Sequence, residues 1–186
     1  MDMAVDCSYI AEPDHPLRLL FKFRKITLID DAGGSVAAAR TNYSSGPHAF
    51  NRTGNAKGQL IGGNLSMLHT LTGTASDIST EGKILFLEDL DEYLYHIDRM
   101  LVHLDRSGKL SNLAGLIVGD MSDMKDNAIP FGKTAYEIIA EHTGKYNYPV
   151  CYNFPVGHEP LNLALVCGRE AALEVSELGV RLEYVV

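Results

Sequence analysis

Apolar and polar positions change rhythm along this chain in a way that marks out its elements. Ile84, Leu85, Phe86 and Leu87 form a short continuous apolar run, the pattern of a strand covered on both faces. Four acids (Glu88, Asp89, Asp91 and Glu92) follow at once, and then Leu94, Ile97, Leu101 and Leu104 recur at helical spacing. Upstream, QLIGG predicts a short strand and a Gly62-Gly63 turn, and Asn64 caps a helix with Leu65, Leu68 and Leu71 on one side and Gly73 at its end. Downstream, Leu113 to Val118 reads as another buried strand, followed by an acidic loop, GDMSDMKDN. Pro130 falls in the first turn of a helix expected to run through His142, and Pro149 to Tyr152 reads as a strand leading into the loop FPVGHEPLN. LALVCG, AALEVSE and VRLEYVV are strand-like, the last two with clear alternation.

Residues 1 to 41 carry the least signal. LRLLFKF and KITLID look strand-like, DDAGG reads as a turn, and VAAAR could open a helix. Asn42 to Gly58 is rich in Gly, Ser, Asn and Pro and reads as an extended connector. Strand and helix alternate through the middle and antiparallel strands close the chain. The expected class is therefore α/β, a mixed sheet with helices packed on it.

Composition narrows the function without naming it. The 186 residues, 46% of them apolar, suit one sizeable domain with room for an appendage. A formal charge of −8 argues against a nucleic-acid partner, which calls for a basic face. No apolar run approaches a membrane span, and the acidic start MDMAVDCSYIAEPDHP lacks the features of a secretory leader, so a soluble cytoplasmic protein is expected. Cys7, Cys151 and Cys167 are odd in number and widely spaced, which indicates neither a disulfide framework nor a zinc site.

Glu88 and His158 stand out as the two candidates for a chemical role. Each leaves a predicted strand, and parallel strands would bring both to one sheet edge. A carboxylate accepting from one imidazole nitrogen fixes the tautomer and frees the other nitrogen to take a proton. The bland alternatives are an acid favoured by a helix dipole and an ordinary loop histidine. A nucleophile is harder to find. There is no G-x-S-x-G elbow, Ser35 lacks the glycine and helix that should follow it, Ser66 reads as a surface or capping residue, and Cys151 reads as core. His96 and His103 share a helix face without an obvious partner, and Asp120, Asp123 and Asp126 recur every third residue without the rest of a calcium loop. Gly62, Gly63 and Asn64 at a helix start either offer N–H groups to an anionic substrate or form a tight turn. Tyr93 and Tyr95 either line a pocket or pack on the sheet.

Four blocks taken in order, GQLIGGNLSMLHTLTGT, ILFLEDLDEYLYHIDRML, LAGLIVGDM and FPVGHEPLNLAL, resemble the C-terminal domain of the LD-carboxypeptidase family. That family includes the muramoyltetrapeptide carboxypeptidases and the microcin-immunity-type peptidases. The resemblance spans roughly residues 42–186 and leaves 1–41 unassigned. It implies a swivelling β/β/α fold and a serine peptidase with a Ser–Glu–His triad that uses no metal or cofactor. Glu88 of the LED block then matches the triad glutamate, and His158 of the P-x-G-H block matches the triad histidine. The serine would sit on a separate N-terminal domain, so this chain is expected to be inactive alone. The implied substrate is a murein tetrapeptide that loses its terminal D-amino acid, and the implied assembly is a homodimer. The resemblance equally accommodates a non-catalytic dimerisation module or a microcin-type peptidase acting on a peptidyl nucleotide. Val166 stands where the family often has proline, a difference confined to the local turn.

Overall fold

A computed structural model describes residues 42–185, together with the backbone of two short strands, β1 (Leu28–Ile29) and β2 (Ser35–Val36). The chain divides into two units, Met1–Thr41 and Asn42–Val186. In the first, β1 and β2 pair antiparallel, with Leu28 opposite Val36. The expectations placed on LRLLFKF and on the helix at VAAAR fall on residues outside this description, Val36 apart.

The second unit contains β3 (Asn42–Ser45), β4 (Gly54–Asn64), α1 (Leu65–Leu71), β5 (Ile84–Leu90), α2 (Leu94–Arg106), β6 (Gly115–Ser122), α3 (Ala135–Thr143), β7 (Val150–Cys151), β8 (Glu170–Ser176) and β9 (Gly179–Tyr184). Seven strands form one mixed sheet in the order β3-β9-β8-β4-β5-β6-β7. β4, β5, β6 and β7 run parallel to one another, and β8, β9 and β3 add on antiparallel beyond β4. The class expected from the sequence, a mixed sheet with helices, is the class observed.

Strand alternation divides the core between two faces. Ile84 and Phe86 of β5 pack into a cluster with Leu60, Ile117, Phe154, Val156, Leu173 and Leu182, with Leu163, Leu165 and Val166 against its rim. Leu85 points the other way and lines a small cavity with Leu68 of α1 and Leu104 of α2. One face of the sheet is thus covered by the 154–167 segment, and the other carries helices. Continuous apolar runs such as Ile84–Leu87, all at most 2% exposed, are what a strand buried on both sides requires.

Several boundaries differ from the sequence reading. The expected connector over 42–58 includes β3 and the start of β4, because β4 continues through Gly62 and Gly63 and these glycines are strand rather than turn. A Cβ on Gly62 would lie 2.0 Å from the Phe86 carbonyl oxygen, so glycine there permits the close approach of β4 to β5. α3 starts at Ala135, not at Pro130. Thr134 and Glu137 form a capping box that fixes the start, and this local signal outweighs the proline. LALVCG is not a strand. The segment lies against the core cluster, and its end ties to β4 through Gly168 N–H to the Leu60 carbonyl at 2.8 Å.

Candidate active site

The parallel strands deliver their C-terminal ends to one edge, and the polar residues gather there. Asn64 ends β4 directly opposite Glu88 near the end of β5. By alternation Glu88 continues the Ile84–Phe86 side and faces the 154–167 segment, whereas Asp89 turns toward α1.

A β-bulge sets the aim of the next strand. Leu87 pairs with Val118 and Asp89 pairs with Met121, so the single residue Glu88 faces two, Gly119 and Asp120. The bulge turns both toward the 154–167 segment. Gly119 lies so close that a Cβ there would meet the Val156 carbonyl oxygen at 2.2 Å. Asp120 N–H donates to that same carbonyl at 2.9 Å, and Phe154 N–H donates to the Val118 carbonyl at 3.1 Å. The segment is therefore laced onto the end of β6, and it brings His158 over β5.

His158 Nδ1 lies 2.8 Å from Glu88 Oε2. Of the two side chains Glu88 is 10% exposed and His158 44%. The two atoms meet at contact distance without the alignment of a full hydrogen bond, since Oε2 has no partner in hydrogen-bonding geometry. Burial pushes the Glu88 carboxyl above the ordinary glutamate range. The His158 ring opposes that rise, and the neighbouring Asp89 adds to it. Among the described residues, His158 Nε2 makes no hydrogen bond, which leaves it open to a substrate or a hydroxyl.

Asp120 completes the polar edge. It is 6% exposed, and its Oδ2 accepts from Glu159 N–H at 3.2 Å. Burial raises its pKa, as does Glu159, whereas its backbone bond from Glu159 and the nearby His158 lower it. Tyr136 of α3 donates its hydroxyl to the Gly119 carbonyl at 3.0 Å, and burial pushes that phenol up to about 12. The sequence reading considered Asp120 only as part of a calcium-loop repeat. No group of three or more His, Cys, Asp or Glu residues that could hold a metal exists among the described residues, and Asp126 is spent on the amides of Asn127 and Phe131. The signal that could have found Asp120 is its place at the end of the buried strand ahead of the His158 loop.

The other candidates resolve as follows. Asn64 caps α1, accepting from Met67 N–H at 3.1 Å and donating to Asp89 Oδ1 at 2.8 Å. It also stands directly opposite Glu88 across the β4–β5 pairing. Gly63 borders open space, since a Cβ there would meet nothing within 4 Å. Ser66 donates its hydroxyl to Asp89 Oδ2 at 2.9 Å, which keeps it in the helix-start network. Cys151 is fully buried, and burial pushes its thiol up to about 12, as a core cysteine requires. His96, expected to lack an obvious partner, instead pairs through Nδ1 with Glu92 at 2.8 Å, and His103 packs edge-on against His69. Tyr93 and Tyr95 pack on each other and on Lys125 and Arg99, respectively.

Comparison with known proteins places this arrangement in context. A family model described as the LD-carboxypeptidase C-terminal domain matches residues 57–173. A Bacillus subtilis protein named "Probable murein peptide carboxypeptidase" is 37% identical over 134 residues, which are 70% of this chain and 41% of that protein. A crystal structure of muramoyltetrapeptide carboxypeptidase from Oxalobacter formigenes superposes with a TM-score of 0.70 at 29% identity, over 78% of this chain and 50% of that one. The microcin-immunity protein MccF bound to glutamyl sulfamoyl guanosine shares the fold, with a TM-score of 0.63 at 22% identity over 76% of this chain and 40% of its own. The chain thus spans about two fifths of the length of the curated relative and half of the solved carboxypeptidase.

Proposed function

Because this chain belongs to the LD-carboxypeptidase family, matching its C-terminal domain over residues 57–173, we propose that it supplies the acid and base of a serine carboxypeptidase acting on murein peptides. The observation that carries the reading is the 2.8 Å approach of His158 Nδ1 to a nearly buried Glu88.

In the proposed mechanism Glu88 holds His158 as the Nδ1–H tautomer and stabilises the imidazolium that forms during the reaction. His158 Nε2 takes the proton from a serine hydroxyl as that oxygen attacks the carbonyl carbon before a terminal D-amino acid. It then passes the proton to the leaving amine, and water repeats the sequence to release the acyl group. The serine comes from outside the described residues. Among these, Ser66 donates to a carboxylate, and a hydroxyl so engaged is not poised for attack by way of His158. Gly63 and Asn64, beside Glu88 and next to open space, are proposed to line the peptide's path.

Two assays test the proposal. The pure chain incubated with a murein tetrapeptide should release no D-alanine above background; robust turnover abolished by Cys151→Ala would overturn the serine mechanism. A chimera in which residues 42–186 replace the matching part of the Bacillus subtilis relative should release D-alanine. Its His158→Ala variant should fall by about 10³-fold or more, to what binding and oxyanion stabilisation alone can give. A folded chimera indifferent to His158→Ala removes the histidine from the mechanism.

A further inference from the structure

Three features of the β6 bulge converge on one residue that the mechanism above does not use. The Asp120 carboxylate lies under the His158 loop and accepts from Glu159 N–H at 3.2 Å, one residue past the histidine. Its own N–H holds the Val156 carbonyl at 2.9 Å, two residues before the histidine. Between these two anchors sits Gly157, with φ at +142°, where a Cβ would fall 2.8 Å from Asp120 Cβ and 3.0 Å from Oδ2. Asn162 braces the same glycine from the other side, accepting from its N–H at 3.3 Å and donating to its carbonyl.

We infer that Asp120 is the positioning residue for His158, its buried carboxylate and N–H clamping the loop on both sides of the imidazole so that Nδ1 stays against Glu88. Without the carboxylate Glu159 N–H loses its acceptor, and the loop is left with the Asp120 N–H bond at Val156, the Asn162 brace on Gly157, the Ser122 hydroxyl on Glu159 Oε1 at 3.1 Å and the ties at Phe154 and Leu163. A ring 44% exposed has room to swing away from a contact that is not a well-aligned hydrogen bond. The role is mechanical rather than chemical: Asp120 meets the loop backbone, and its effect on the reaction passes through His158. This inference rests on the reading of Glu88 and His158 as a working pair, and the experiment separates the two.

The readout is the tautomer of His158, observed by long-range ¹H–¹⁵N correlation in the labelled full chain at a pH where the imidazole is neutral. It is joined by hydrogen-exchange protection of the Glu159 amide. Wild type should show the Nδ1–H form. Asp120→Asn should keep it, because an amide oxygen still accepts from Glu159 N–H. Asp120→Ala should move the ring toward the Nε2–H form and lower Glu159 protection about tenfold or more, well below its melting temperature. Gly157→Ala, whose methyl group collides with Asp120, should do the same and stands in if Asp120→Ala does not fold. In the chimera, Asp120→Ala should lower kcat on the order of 100-fold with KM little changed. Retention of the Nδ1–H form and of Glu159 protection in Asp120→Ala overturns the inference. An Nε2–H form in wild type overturns the Glu88–His158 pairing, and the Glu159 exchange rates then still decide whether Asp120 clamps the loop.

Discussion

Two Glu–His pairs in this molecule share the same 2.8 Å separation, and they differ in how deeply the carboxylate is buried and in how far apart along the chain its partner lies. Glu92 and His96 are one helical turn apart on α2, with side chains 28% and 36% exposed. Helix geometry alone brings them together, and water competes for both. Glu88 and His158 come from different elements, and the carboxylate is nearly buried at a strand end. The first pair records local spacing. The second exists only because the sheet, the bulge and the 154–167 segment are all in place. A contact distance therefore does not identify a site. The cost of assembling the contact does, together with the shifted ionisation that burial imposes on Glu88.

The largest expected contrast is catalytic. In the chimera, Glu88→Gln should lower kcat/KM by about 10³–10⁴-fold, because the isosteric amide no longer enforces the tautomer that leaves Nε2 ready to accept. Glu92→Gln should stay within about twofold. D-alanine release measured side by side checks both, and equal effects would erase the distinction drawn above. Next in size is Gly119→Ala. Its Cβ would meet the Val156 carbonyl oxygen at 2.2 Å, and backbone there has no flexible end to move aside. The 154–167 segment must lift from β6. The expected cost is about 1–3 kcal/mol by chemical denaturation, as for an overpacked site. The Nδ1 resonance of His158 should shift while that of His96 stays in place.

The sequence shows one of these pairs more readily than the other. The strand and helix at 84–106 are legible because a continuous apolar run followed by residues at helical spacing allows few alternatives, and the Asn64 cap sits where its residue type predicts. Glu88 and His158 are visible as side chains leaving strands, but on residues alone they compete with bland readings, and the family resemblance is what favours them. Their supporting parts were not legible. The bulge at Gly119-Asp120 is a property of register between two strands, and no single-strand pattern encodes register. Asp120 belonged to a threefold acid spacing that drew attention toward calcium, although on a strand such a spacing alternates faces. LALVCG had the composition of a strand, and tertiary packing against the core cluster made it an irregular cover instead. The i,i+4 spacing of Glu92 and His96 on α2 is enough to pair them, and residue types alone do not single that pair out from a solvated helix face.

Acid stability should carry the mark of the buried Glu88 carboxyl. Burial raises the Glu88 carboxyl in the folded state above its unfolded value, so between those values the folded chain binds more protons than the unfolded one. Its contribution to stability is therefore greatest at low pH, declines as pH rises through that window, and stays at its minimum above it. Asp120, also raised by burial, acts in the same direction. Glu88→Gln removes the charge without changing the shape, so it should raise Tm at pH 7, and that gain should shrink toward zero by pH 4. A variant less stable than wild type at pH 7 would mean that the His158 contact outweighs desolvation.

Glu92→Gln gives the smallest effect and the most discriminating control. An i,i+4 pair open to water contributes about 0.3–0.5 kcal/mol. The loss should therefore be reduced by 0.5 M salt, where the screening length is only about 4 Å. The Glu88→Gln shift should resist the same salt, because its carboxylate is shielded by the sheet and not by ions. If both responses faded together in salt, the two pairs would share one electrostatic environment, and burial could no longer explain why one of them is a candidate catalytic pair.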